Sequence, residues 1–165
     1  MKLLKQGKII KDDWHHIADG EDIGEHPAII PLKRFCEEEK ALKGRNAPLG
    51  VLVKGGEKTG DDIRTLAPFL DRIALVAIEF PIFKNGRGFS NARILREELG
   101  FTGEIRAVGE VLRDQLLFMM RCGIDSYEID ERVGEKDWQE AIAEFSDFYQ
   151  PAGDKKRGVL WQRKP

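Results

Sequence analysis

The sequence predicts an α/β protein. It reads as a mostly parallel sheet of five βα-repeat strands with an N-terminal hairpin, built as a half-barrel, a TIM-barrel-like sheet or an open three-layer sheet. Three observations predict it. Short apolar runs alternate with charged helical stretches from Pro27 onward. One run, Ile73–Phe80 (IALVAIEF), is nearly all apolar, as a parallel strand covered on both faces is. Glycine-bearing loops stand where right-handed crossovers must turn from strand to helix.

Residues 2–17 read as a polar hairpin, with Leu3-Leu4 and Ile9-Ile10 as short strands around Gln6-Gly7. Ala28–Leu32 is the first apolar strand, followed by a charged helix, Lys33–Leu42, that ends at Gly44. Leu49–Val53 is the next strand, and Gly55-Gly56 leads to a helix from about Asp61 to Leu70. After Ile73–Phe80, Pro81 helps to close the strand. A helix from about Phe89 to Leu99 places Ala92, Leu95 and Leu99 on one stripe, with Gly100 as its cap. Glu104–Val108 is a strand, Glu110–Cys122 a helix capped by Gly123, and Ser126–Ile129 the last strand. Asp137–Phe148 completes the series as an amphipathic helix with Asp137 as N-cap. Residues 1–150 thus read as one α/β domain, and residues 151–165 as a basic, partly flexible tail.

The helix Glu110–Cys122 is apolar on more than one face, through Val111, Leu112, Leu116, Leu117, Phe118, Met119 and Met120. Either sheet and neighbouring helices bury it, or a second copy covers the surplus face in a homodimer.

Composition narrows the function classes. A net charge of −2 speaks against a nucleic-acid binder. No apolar run reaches the roughly 20 residues that span a bilayer, and the start lacks a signal-peptide core, so a cytoplasmic protein without membrane contact is expected. Cys36 and Cys122 have no CxxC spacing and supply neither a four-cysteine cluster nor a structural zinc site. His15 and His16 are adjacent and diverge in an extended segment, and His26 lies in a loop, so none is read as a ligand. No metal and no cofactor is expected.

Two loops could hold an anion. In Asn85-Gly86-Arg87-Gly88, glycines let successive N–H groups share one hollow at a helix start, and Arg87 supplies a forked cation. Gly86-x-Gly88-x-x-Asn91 is not a dinucleotide fingerprint: the third glycine is missing, and residues 81–85 separate the loop from its strand. In the second loop, Gly109 precedes Arg113 and Asp114 in the first turn of the next helix. Aspartate suits that turn, whereas arginine opposes the helix dipole and asks for an anion near Gly109 or an ion pair with Asp114 or Glu110.

Strand alternation puts Glu104 and Arg106 on one face, with Ile105 and Ala107 on the other. Charges inside a strand need partners or a polar cavity. Glu79 and Glu128 pose the same problem on neighbouring strands, so Glu79, Arg106 and Glu128 read either as an internal salt-bridge cluster or as a ligand site.

The gapless block FPIFKNGRGFSNARILREELGFTGEIRAVGEVLRDQLLFMMRCGIDSYE resembles the signature of an uncharacterised bacterial family of unknown function. Asp13-Trp14, Pro48-Leu49-Gly50-Val51 and Tyr149-Gln150 fit it too. Members of that family are described as probable oxidoreductases involved in sulfite reduction, because their genes lie beside those of assimilatory sulfite or nitrite reductase. Asn85 stands where the family usually has aspartate. The resemblance implies a role in sulfur assimilation, as an accessory protein that binds a small anion or metabolite or docks on a sulfite reductase subunit. Two other readings stand beside it: an enzyme with its site at the carboxyl ends of the strands, at Glu79, Arg87, Arg106, Glu110 and Glu128, and a structural oligomer.

Overall fold

The computed structural model describes residues 1–56, 60–82 and 84–145. Its centre is an eight-stranded sheet in the order β2-β1-β8-β7-β6-β5-β4-β3, curled into a half-barrel. β1 (Lys2–Lys5) and β2 (Lys8–Ile10) form the hairpin. β3 (His15–His16), β4 (Ala28–Pro31), β5 (Leu49–Val53), β6 (Leu75–Phe80), β7 (Glu104–Gly109) and β8 (Ser126–Ile129) run parallel. The five expected strands are β4 to β8. The hairpin joins β8 antiparallel, with Leu3 opposite Glu128 and Lys5 opposite Ser126.

The hairpin is shorter than residues 2–17. It ends at Ile10, and His15-His16 instead pairs in parallel with Ala28-Ile29 at the opposite edge. The chain turns between them because Asp12 Oδ1 accepts the Trp14 N–H at 3.1 Å and the Trp14 ring packs on the sheet.

Alternation along the strands sorts the sheet into two unlike faces. Leu4, Ile30, Val51, Val53, Val76, Ile78, Ile105, Ala107, Tyr127 and Ile129 point outward into the main core with the helices. Ile29, Leu75, Ala77 and Val108 point inward and form a separate small cluster with Trp14 and Leu52. The half-barrel is the form adopted, and among the described residues the Trp14 segment packs on its concave face.

Helical segments depart from the expected shapes where local chemistry intervenes. α1 spans Leu32–Leu42. The segment expected as a helix over 61–70 is a 3-10 run, Ile63–Arg72, with Pro68 inside it. Proline has no N–H to donate and crowds the preceding turn, so a regular α ladder cannot pass through it. Asp62 caps its start by accepting the Arg64 N–H at 3.0 Å. α2 (Arg87–Arg93) begins two residues earlier than expected and passes into a π turn, Ile94–Glu98, closed by Leu99 N–H to Ile94 O at 2.9 Å. Within that turn Arg96 donates to the carbonyls of Phe101, Gly103 and Gly123 and pairs with Asp125.

The apolar stretch expected as one helix over 110–122 is also broken. Leu112 is extended, a 3-10 turn covers Arg113–Gln115, and α3 is only Leu116–Arg121. Its apolar surplus is largely used within the chain: Val111, Leu116, Leu117 and Met119 are buried, and Phe118 is exposed. α4 runs Glu135–Ala143, with the Trp138 ring tilted at 54° against Tyr127. Asp137 is its third residue and not its N-cap: its carboxylate reaches back to accept the Gly134 N–H at 2.8 Å. The helix stops at Ala143, short of the expected end at Phe148, and residues 146–148 and the basic tail lie outside the described residues.

Candidate functional site on the concave face

The inward face of β6, β7 and β8 carries the charges that the sequence placed inside strands. Arg106 lies mid-strand on β7, with its side chain 1% exposed. A buried guanidinium needs both charge and hydrogen-bond partners, and this one has three. Its Nη1 donates to Asp12 Oδ2 at 2.8 Å and to Glu128 Oε1 at 3.3 Å. Its Nε and Nη2 donate to Glu104 Oε1 at 3.2 and 3.0 Å. Glu104 is held further by Lys5 and by Ser126 Oγ at 2.6 Å. Glu128 Oε1 also meets His16 Nε2 at 2.7 Å.

These contacts set the protonation state. Burial pushes the Glu128 carboxyl up, but the His16 hydrogen bond and the charge and hydrogen bond of Arg106 outweigh it and hold it below the usual glutamate range. Burial likewise pushes Glu104 up, and bonds from Lys5 and Ser126 with the Arg106 charge bring it below that range. Both are therefore carboxylates at neutral pH. The cysteines stand apart: burial raises both thiols, so neither is poised as a thiolate.

Toward the carboxyl ends of the strands the network opens on a cavity of about 470 Å³, a size that accepts small molecules. Asp12, His16, Glu79, Gly109 and Glu128 line it, with Leu52 and Val108 as apolar wall and Met1 and Lys2 at its edge. Glu79 sits opposite Val108 near the end of β6, and its carboxylate accepts the Gly55 N–H at 3.1 Å. A larger hollow of about 720 Å³ lies among Gly24, Ala41, Leu42, Gly44 and Arg45. Its lining holds one carboxylate, Glu25, and no histidine, whereas the concave cavity gathers three carboxylates and His16, so the concave cavity is the better candidate.

The residues singled out from the sequence divide accordingly. Glu79, Arg106, Gly109 and Glu128 come together on the concave face. Arg113 is exposed and reaches α4, at Glu140 (3.3 Å) and Asp137 (3.9 Å). Asp114 is exposed beside it, and Glu110, half-buried, donates its N–H to Phe80 O at 2.7 Å. Arg87 is exposed at the start of α2. Asn85 ties its loop together: its amide donates to Gly56 O at 2.6 Å and its Oδ1 accepts the Arg87 N–H at 3.1 Å. Gly86 is open to solvent, and Gly88 packs so closely on the Phe80 ring that a Cβ there would stand 2.5 Å from it.

Asp12 and Lys5 are members of the site that sequence reasoning passed over, and His16 is one that it weighed as a ligand and set aside. Nothing local marks them, because their partners lie 94, 99 and 112 residues away in the chain. Among the described residues, no group of three or more His, Cys, Asp or Glu side chains is placed to hold a metal ion. No described helix is long and apolar enough to cross a membrane.

A family model described as a bacterial protein of unknown function (DUF934) matches residues 56–160. No curated protein matches the chain.

Proposed function

The chain belongs to the bacterial family of unknown function DUF934, and from that premise and the concave site we propose that it is an accessory protein of assimilatory sulfite reduction that binds a small protic metabolite in the half-barrel. The observation that carries this reading is the cavity itself, where Glu79, Glu128, Asp12 and His16 converge at the carboxyl ends of parallel strands, the end at which α/β sheets hold their ligands. The sulfur context is supported by the resemblance of the Phe80–Glu128 block to proteins associated with sulfite reduction.

Charge decides which form of ligand suits the cavity. Arg106 is enclosed by Asp12, Glu104 and Glu128, so its charge is already matched. Three carboxylates line the space, and they repel a dianion. A protonated ligand such as hydrogen sulfite carries less charge and offers an O–H to Glu79 or Glu128.

Titration calorimetry of the full chain with sulfite tests this. Saturable binding is expected that weakens as pH rises through the ionisation of hydrogen sulfite and that falls in Glu79→Gln. Absence of binding at every pH, or equal binding by Glu79→Gln, contradicts it. A second reading, docking on a reductase subunit, is favoured by two exposed apolar side chains, Met1 at the cavity and Ile10 on the hairpin strand β2. Co-sedimentation with sulfite reductase, lost on Ile10→Glu, is its test.

A further inference from the structure

We propose that His16 is a proton-exchanging residue of the concave cavity, oriented by Glu128, for a small ligand that carries an acidic O–H or N–H. The inference rests on the binding site proposed above, but it can be tested without any ligand.

The argument begins with the hydrogen bond between His16 Nε2 and Glu128 Oε1 at 2.7 Å. An ionised carboxylate only accepts, so Nε2 must be the protonated nitrogen. In the neutral ring that leaves Nδ1 unprotonated, as the nitrogen that can take a proton. Glu128 is fixed in turn by Arg106, which is itself held by Asp12 and Glu104. The ring is thus oriented by a carboxylate that is itself anchored, as in other base-competent histidines.

Exposure separates this pair from a buried structural one. The Glu128 side chain is 10% exposed, whereas that of His16 is 40% exposed and lines the cavity. His16 sits on a two-residue edge strand whose approach is pinned by Asp12, through Arg106 on one oxygen and the Trp14 N–H on the other. Edge placement keeps the ring reachable, and the Asp12 anchor keeps it still.

The step balances without any other reactant. The X–H bond of the ligand breaks, its electron pair stays on X, and the proton forms Nδ1–H on His16. The resulting imidazolium faces the Glu128 carboxylate, which stabilises it. Reversal returns the proton. Nothing is oxidised or reduced, and Glu128 is a positioning residue throughout.

Acylation by diethyl pyrocarbonate, followed site by site by mass spectrometry on the full chain at neutral pH, tests the assignment. It reads the availability of an unprotonated ring nitrogen, and His15 and His26, which stack edge to face at 4.4 Å, serve as internal references. His16 is expected to react faster than either, and Glu128→Gln to slow it severalfold, with His26 unchanged. Equal rates for the three histidines, or an unchanged His16 rate in Glu128→Gln, overturn the proposal. Nitrogen-15 spectra of the unmodified protein give an answer independent of any variant: a neutral Nε2–H ring supports it, and an Nδ1–H ring contradicts it. If sulfite fails to bind while His16 behaves as expected, only the ligand reading falls.

Discussion

Arg106 holds the concave face together, and removing it has a predictable cost. Its loss leaves Asp12, Glu104 and Glu128 facing one another in a partly buried space. Breaking such a network by deleting one partner costs about 3–5 kcal/mol. Arg106→Met is therefore expected to lower the free energy of unfolding by that amount, read as a lower urea midpoint, and Arg106→Lys to recover only part, because an ammonium cannot fork toward both Glu104 and Asp12. A midpoint within error of wild type in Arg106→Met contradicts this. At this scale the sequence was half legible. Strand alternation put Glu104 and Arg106 on one face of their strand, and the need to pair charges inside strands grouped Arg106 with Glu79 and Glu128. Neither could reveal His16, Asp12 or Lys5, whose roles depend on where the hairpin and the β3 edge are carried by the fold.

The same division runs through the elements. Apolar runs bounded by turn residues located β4 to β8 to within a few residues, since a buried parallel strand is visible in composition. Helix shape was less visible, because Pro68, the extended Leu112 and the Arg96 contacts each override a simple 3.6-residue reading. The loops at the carboxyl ends are tightly built. Gly109 has φ +91°, and a Cβ there would stand 2.6 Å from Phe80 O, a backbone atom that cannot step aside. Gly109→Ala is expected to destabilise by about 1–3 kcal/mol and to distort the cavity wall, measured as a lower midpoint together with weaker ligand binding. Asp137→Ala removes the bond to Gly134 and the contact with Arg113, and about 1 kcal/mol of stability is expected to go with them. Asp137 does not line the cavity, so Asp137→Ala is expected to leave the His16 acylation rate unaltered.

For the whole molecule, the two faces of the sheet divide the work. The outward face and its helices provide the hydrophobic core, while the inward face holds a charge network that runs from Lys5 and Glu104 to His16 at the mouth. That network makes stability depend on acid. Glu104 and Glu128 have carboxyls held below their ordinary range in the folded chain. Their contribution is complete above the unfolded value, about 4.3, and is lost as pH falls through the lower folded values. Urea midpoints followed against pH are expected to drop steadily from about pH 4.3 downward, and a flat profile there contradicts the assigned ionisation.

The central claim is that the ligand site lies inside the half-barrel and not on the arginine-bearing loops outside it. A crystal of the full chain soaked in sulfite decides it most directly. Density bounded by Glu79, His16 and Glu128 is the result expected; density only beside Arg87 or Arg113, with the concave cavity empty, would contradict it.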